Sequence, residues 1–159
     1  MMYTKALTFN DDESARAILA TEDPRVQKAL GRKVQDFTVH RWDEVKRRVV
    51  LEANLLKFEQ GVARRDDAFV YPPLPLVDGQ PEGTRDATVN VSLKELLLAT
   101  GDRELIEASP RDRIWGVGFG AEKAEELRRE GKRERWGSNY LGEALMEVRT
   151  RIRAEMDGE

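Results

Sequence analysis

The sequence contains no cysteine, and His40 is the single histidine among its 159 residues. Without cysteine the chain has no disulfide, no thiolate metal site and no cysteine nucleophile. One histidine excludes a metal site built from several histidines, and it argues against a Ser-His-Asp triad. Any chemistry must therefore come from other side chains.

The sequence also lacks a long apolar run and an excess of positive charge. No apolar segment approaches the roughly 20 residues that span a membrane, and no signal-peptide pattern opens the chain. The 27 basic residues are outnumbered by 30 acidic residues, for a net charge of −3. This balance argues against an electrostatic nucleic-acid binder. We expect a soluble, cytoplasmic protein without membrane association.

The composition is ordinary for a helix-rich globular protein, with 40% hydrophobic and 36% charged residues. A length of 159 residues predicts a single domain over residues 1–159. Short segments at 1–9 and after Asn10-Asp11-Asp12 are predicted to be helical, and Asp23-Pro24 is a helix-start signal. Apolar residues at helical spacing then predict a long helix through Trp42, Val45, Val49, Ala53 and Leu56.

Two further helices are predicted in the second half of the chain. Ser92 is the expected N-cap of a helix that Gly101 ends. The last helix is expected to begin at Ser138 or Asn139, and its buried face comprises Leu141, Leu145, Val148, Ile152 and Met156.

The segment 61–91 differs in character from the rest of the chain. It holds four of the six prolines, and Tyr71–Leu76 has the pattern of a polyproline II helix. Long loops of this kind are usually functional or disordered. We expect a surface insertion or disordered loop, with the docking of a partner peptide as the alternative.

The stretch Ser109–Gly120, S-P-R-D-R-I-W-G-V-G-F-G, is the candidate site. A short strand at 105–108 is predicted to lead into it, and Pro110 would turn the chain so that Asp112 lies at the exit of the strand. Loops at strand ends often carry reactive groups. Arg111 and Arg113 would keep Asp112 ionised if they approach it.

The rest of this stretch suits a phosphorylated or nucleotide-like ligand. Trp115 offers a flat ring for stacking on a heterocycle, and Gly116, Gly118 and Gly120 allow backbone N–H groups to approach a phosphate. The alternative is structural: Asp112 forms a salt bridge, Trp115 fills the core and the glycines only turn the chain. The G-x-G-x-G spacing is not the dinucleotide-binding fingerprint.

Several blocks in this order resemble one known family. They are Lys5-Ala6, A-T-E-D-P-R-V-Q-K-A-L-G-R at 20–32, R-W-D-E-V-K-R-R at 41–48, N-L-L-K-F at 54–58, L-L-L-A-T-G-D-R-E-L-I-E-A-S-P-R-D-R-I-W-G-V-G at 96–118 and N-Y-L-G-E-A-L-M-E-V-R at 139–149. The chain resembles the NADAR superfamily of YbiA-like proteins, which includes riboflavin biosynthesis intermediates N-glycosidase. The resemblance covers nearly the whole chain apart from the proline-rich segment.

This resemblance implies an α+β, mainly α-helical, compact domain with short strands that hydrolyses N-glycosidic bonds. The implied substrates are phosphoribosylamino-pyrimidines or ADP-ribose attached to a base, so nucleic acid is a partner only as an ADP-ribosylated substrate. No metal and no redox cofactor are implied. The alternatives are a non-catalytic nucleotide- or ADP-ribose-binding module and, third, an interaction protein. The oligomeric state is not predicted.

Site residues are carried over by position in the matching blocks. Asp112 matches an acidic site residue, Trp42 and Trp115 match two tryptophans, Lys5 a lysine and Asn139 an asparagine of the final motif. Gly116 and Gly118 are the expected backbone contacts to substrate. Structural alternatives are core packing for Trp42, a solvated charge for Lys5 and a helix N-cap for Asn139.

Two more residues near the site are assigned structural roles. His40 is expected to lie beside the start of the long helix rather than act as a base. Glu107 is either a second carboxylate or the partner of an arginine.

The resemblance also indicates an N-terminally truncated domain. The family opens with an aromatic- and glycine-rich segment and an acidic residue about one helical turn before the lysine, and this sequence starts after both. We expect that, if the acidic residue is needed for catalysis, the chain binds its ligand without turning it over.

Overall fold

The protein is described by a computed structural model over residues 1–63 and 91–158. This part of the chain is mainly helical, as predicted. Its α-helices are α1 (Met2–Thr8), α2 (Asp12–Leu19), α3 (Pro24–Gly31), α4 (Val39–Gln60), α5 (Leu93–Leu98), α6 (Ala121–Arg129) and α7 (Tyr140–Asp157), with a 3-10 turn at Arg133–Arg135. No helix of the described residues combines the length and the apolar character needed to cross a membrane.

Strands are a minor part of the described structure. Within it, β1 (Val62–Ala63) pairs antiparallel with β2 (Val91–Ser92), and Val62 lies opposite Ser92. The predicted insertion at 61–91, including Tyr71–Leu76, falls almost entirely outside the described residues. The strand pair nevertheless places the two ends of that segment side by side.

The residues form two compact units, Met1–Ala53 and Asn54–Glu159. Helix α4 begins in the first unit and ends in the second. The first unit has a core formed by α1, α2 and the segment after α3, with five buried apolar side chains: Ala6, Phe9, Ala15, Ile18 and Val34. Met2, Leu30 and Trp42 are partly buried and pack against this core.

The Asp11 side chain connects two segments of the first unit by hydrogen bonds. Asp11 is the N-cap of α2, within the predicted capping segment Asn10-Asp11-Asp12, and its Oδ1 accepts the N–H of Ser14 at 2.9 Å. Its Oδ2 accepts the N–H of Gln35 at 2.9 Å, from the chain beyond α3. Hydrogen bonds from Gln35 and Ser14 lower the pKa of the Asp11 carboxyl below its ordinary value, because they stabilise the charged form.

We expect Asp11→Asn to lower the melting temperature at neutral pH, because an amide has one oxygen for two N–H donors. The contribution of the ionised Asp11 carboxylate to the free energy of unfolding is complete above the ordinary pKa of aspartate, about 3.9. It is lost as the pH falls through the lower folded-state pKa. Between neutral and acid pH, the melting temperature of the variant should therefore fall less steeply than that of the wild type. Asp12→Asn, at an exposed neighbour, is the control; equal slopes in Asp11→Asn and wild type would contradict the assignment.

Helix α4 buries most of the predicted face, with Trp42, Val45 and Ala53 partly buried, but the buried face is wider at its middle and ends before Leu56. Val49 is buried as expected, but Leu56 is exposed, and Val50 is buried in addition. Lys46, predicted on the solvated side, is also buried, and its Nζ lies 2.6 Å from Oδ1 of Asp43. A lysine can be buried in this way when its ammonium has a carboxylate partner.

In the second unit, α7 packs against α5. Val148 and Ile152 of α7 are fully buried as predicted, whereas Met156 is exposed. The buried Arg149 donates from Nη1 to Oγ1 of Thr100 at 2.6 Å and to the carbonyl of Arg103 at 3.0 Å. Gly101, with φ of 58°, ends the turn after α5. Arg149 thus fixes the chain that leads from α5 towards the candidate site.

Two elements differ from prediction in this unit. Residues 105–108 form no strand, because their backbone bonds to the side chain of Asn139 and to the loop at Val117 instead of to a neighbouring strand. Helix α6 was not predicted, since only Ala124 and Leu127 carry its buried face. Both are fully buried, and the intervening charges pair along the helix surface, as in Glu125 with Arg128.

Candidate functional site

The candidate site is built from three loop segments of the second unit, at 105–109, 112–118 and 137–141. Consecutive peptide N–H groups of the third segment donate to carbonyls of the second: Ser138 to Arg113, Asn139 to Gly116, Tyr140 to Ile114 and Leu141 to Trp115, at 2.8–3.3 Å. The N–H of Val117 donates to the carbonyl of Glu107 at 3.0 Å. These bonds hold an irregular backbone in one arrangement without a sheet.

Asp112 closes a tight turn within this loop. Its Oδ1 accepts the N–H of Ile114 at 2.9 Å and the N–H of Trp115 at 2.7 Å. The side chain is partly buried, and its Oδ2 accepts no hydrogen bond from the described residues. One oxygen therefore fixes the carboxylate, and the other remains for a ligand or a water molecule.

The two arginines beside Asp112 do not form ion pairs with it among the described residues. Arg113 instead donates from Nη2 to the carbonyl of Arg135 at 2.9 Å and lies 5.8 Å from the ring centre of Phe119. Arg111 is exposed. Arg113 therefore does not make the approach to Asp112 on which that expectation depended, because the loop turns its side chain towards the carbonyls before α7.

Trp115 is half-buried and meets Tyr140 edge to face, with ring centres 6.1 Å apart at 79°. Its backbone is fixed by Asp112 on one side and by Leu141 on the other. An aromatic ring held in this way loses little conformational freedom when a ligand stacks on its open part. The loop therefore presents a carboxylate and a flat ring three residues apart.

The glycines of the loop permit close backbone packing. A Cβ on Gly116 would lie 2.5 Å from the carbonyl oxygen of Glu107, and one on Gly118 would lie 2.7 Å from Cγ of Arg113. Gly118 also has φ of 77°, which favours glycine. The N–H groups of Gly116 and Gly118 donate no backbone hydrogen bond within the described residues.

Asn139 is buried and has φ of 50°, in the left-handed region. It occupies the N-cap position of α7 as predicted, but its side chain does not cap the helix. Its Nδ2 instead donates to the carbonyl of Leu105 at 2.9 Å, and its Oδ1 accepts the N–H of Glu107 at 3.0 Å. A Cβ on Gly142 would overlap that Leu105 oxygen, so the glycine makes room for the contact.

Lys5 and Trp42 lie in the first unit. The Lys5 Nζ donates to the carbonyl of Gly31 at 2.7 Å and lies 4.0 Å from the ring centre of Phe37. Burial lowers the pKa of this ammonium from its ordinary value. Trp42 keeps part of its surface accessible. The convergence of Lys5 and Trp42 with Asp112 and Trp115 on one cleft stays a prediction.

The remaining candidates have structural surroundings. His40 is exposed in the first turn of α4, with Nδ1 3.5 Å from the Glu44 carboxylate. Glu107 forms no ion pair among the described residues, and its backbone serves the loop on both sides. Residues 1–63 and 91–158 contain no group of three or more side chains suited to hold a metal ion.

Of two further contributors to the loop, Gly137 was not predicted and Arg113 was predicted in a different role. Gly137 lies against Arg113 and Gly116, where a Cβ would be 2.6 Å from the Gly116 carbonyl oxygen. The Arg113 side chain joins the loop to the segment before α7. The W-G-S-N sequence at 136–139 was the available signal, since glycine beside a helix start often permits a close approach.

Comparison with known proteins agrees with the pattern of blocks in the sequence. The NADAR domain family matches residues 1–153. An N-glycosidase of Acanthamoeba polyphaga mimivirus is 33% identical over 150 residues, which are 94% of this chain and 69% of the relative. Protein irg-1 of Caenorhabditis elegans is 32% identical over 95% of this chain and 57% of its own length. N-glycosidase YbiA of Escherichia coli is 27% identical over 96% of this chain and 69% of its own. The chain therefore belongs to the NADAR domain family.

Proposed function

We propose that this protein is an N-glycosidase, which hydrolyses the bond between a ribose and a nitrogenous base. Relatives named as N-glycosidases match more than nine tenths of the chain. The observation that carries the proposal is the state of Asp112, a partly buried carboxylate with one oxygen anchored by two backbone N–H groups. Its other oxygen has no hydrogen-bond partner among the described residues.

The chemistry of the reaction suits such a carboxylate. Cleavage of an N-glycosidic bond builds positive charge on the ribose as the base departs, and a nearby carboxylate stabilises that charge. The same group can accept a proton from the attacking water, whose oxygen is then bonded to the anomeric carbon. The departing base takes up a proton from the solvent and Asp112 later releases its own proton to the solvent, so that one water molecule is consumed overall. We assign the first two roles to Asp112.

For the substrate, we propose a ribosylated and phosphorylated base, either a phosphoribosylamino-pyrimidine or an ADP-ribosylated base. Trp115 would stack on the base, and the N–H of Gly118 would approach a phosphate. The buried Gly116 would act through the backbone packing that supports this loop. Lys5 and Trp42, a cation and a second ring in the first unit, are proposed as substrate contacts from their positions in the matching blocks alone. No metal or redox cofactor has a role in this scheme.

The proposal is tested by incubating the protein separately with a phosphoribosylamino-pyrimidine and with ADP-ribosylated guanosine. We expect chromatography to show release of a free base and a ribosyl product from one of them, above the rate with heat-denatured protein. Calorimetric binding of the same compounds without release would contradict hydrolysis and indicate a nucleotide- or ADP-ribose-binding module instead.

A further inference from the structure

The three loop segments of the candidate site are joined in a closed series of hydrogen bonds. The N–H of Glu107 donates to Oδ1 of Asn139, the N–H of Val117 donates to the carbonyl of Glu107, and the N–H of Gly137 donates to the carbonyl of Val117 at 2.9 Å. Gly137 and Asn139 are two residues apart, which closes the series. Asn139 is the member that contributes its side chain.

We infer that Asn139 is a positioning residue for the Asp112 loop, rather than a contact to substrate. Its amide uses an N–H and an oxygen on two backbone groups of 105–107, as a neighbouring strand would. The side chain is therefore a replacement for the strand pairing that this segment lacks. The inference rests on the proposed function, because the loop that it orders carries Asp112.

Three independent observations support this role. Asn139 is 8% exposed, so little of it is available to a ligand. Its left-handed backbone, which asparagine tolerates better than most residues, aims the amide at 105–107. Gly142 lacks the Cβ that would overlap both the Leu105 oxygen and this amide. All three are accounted for by the contacts of the amide to Leu105 and Glu107.

The path from Asn139 to the carboxylate is short. The Asn139 amide fixes Glu107, whose carbonyl holds Val117. The backbone N–H of Asn139 also donates to the carbonyl of Gly116, adjacent to Trp115. Trp115 in turn donates to Oδ1 of Asp112. Loss of the amide should free this loop and leave Asp112 less often in its reactive position.

The test is Asn139→Gly, because glycine tolerates the left-handed backbone while the whole side chain, with its amide, is removed. We expect hydrogen exchange at the N–H groups of Glu107, Val117 and Gly137 to be at least about tenfold faster. On the substrate that the assay above identifies, kcat should fall about tenfold with KM nearly unchanged. Asn10→Gly is the matched control, since Asn10 also has a left-handed backbone, with φ of 57°, but is exposed. We expect both measurements to be unchanged there.

A second variant distinguishes the loss of this specific hydrogen bond from a general destabilisation of the protein. In Asn139→Asp the introduced carboxylate would face the Leu105 carbonyl, and a protonated carboxyl could donate to it again. Protection of the Val117 N–H should therefore recover as the pH is lowered, which general destabilisation would not produce.

The outcomes separate the two hypotheses. A raised KM with normal exchange in Asn139→Gly would make Asn139 a substrate contact, and unchanged exchange with unchanged kinetics would also overturn the inference. If the wild-type protein releases no base, the proposed function fails, but the exchange measurements still decide whether Asn139 orders the loop.

Discussion

Asp112→Asn is expected to lower the rate of base release about a hundredfold or more, as for the loss of electrostatic or acid–base groups in other enzymes. The asparagine retains an Oδ1 that can accept from Ile114 and Trp115, so the turn should survive. What is removed is the negative charge that would stabilise the developing cation on the ribose. Affinity for the intact substrate should change little, because stacking on Trp115 remains.

The matched control for this experiment is Asp23→Asn. Asp23 likewise accepts a backbone N–H two residues ahead, from Arg25 at 2.7 Å, but it is the exposed N-cap of α3. Its substitution should leave base release unaffected. A stable Asp112→Asn protein with wild-type turnover would remove Asp112 from the mechanism, and a lowered melting temperature with normal activity per folded molecule would make it structural.

Gly142→Ala is expected to cause the largest loss of stability among the substitutions considered. Alanine is favoured over glycine inside a helix by about 1 kcal/mol at most. The new Cβ would, however, overlap the Leu105 carbonyl oxygen and lie 2.7 Å from Oδ1 of Asn139. Overpacking against backbone that cannot move costs up to about 3 kcal/mol. This steric cost should exceed the gain in helix propensity.

The net loss of about 2 kcal/mol corresponds to a fall in melting temperature of roughly 4–8 °C for a chain of this size. Gly120→Ala is the control, because its φ is −67° and the nearest atom to a Cβ is Cγ of Pro110 at 3.8 Å. That change should be within about 0.5 kcal/mol of neutral. A Gly142→Ala protein as stable as wild type would show that the 105–107 segment shifts freely.

The sequence predicted features that depend on neighbouring residues. Asp23-Pro24 correctly marked the start of α3, and the segment Asn10-Asp11-Asp12 marked the start of α2, because a cap and its N–H partners lie within three residues. The mainly helical fold followed from the spacing of apolar residues. The blocks that resemble the NADAR family identified the same loop that the structure shows as a hydrogen-bonded unit.

Contacts between residues that are far apart in the sequence could not be predicted from such local patterns. The side chain of Asn139 bonds to residues 32 and 34 positions earlier, and this partner turned a predicted strand into a loop. Lys46 is buried because Asp43 pairs with it, although the spacing of apolar residues placed it in solvent. Asp112 offered a similar ambiguity, since an acid between two arginines predicts ion pairs that the turn does not form.

The pairing of β1 with β2 closes a loop, and the free energy of that closure depends on the number of residues between the two strands. Ala63 and Val91 are partners across the pair, so the two chain positions that border the intervening residues lie side by side. The entropy of closing a flexible loop grows only with the logarithm of its length, so a doubling costs about 0.6 kcal/mol. For closure of the β1–β2 pair alone, a change in the number of residues between Ala63 and Val91 should therefore cost little. Selection on that number is then expected to be weak as far as pair closure is concerned.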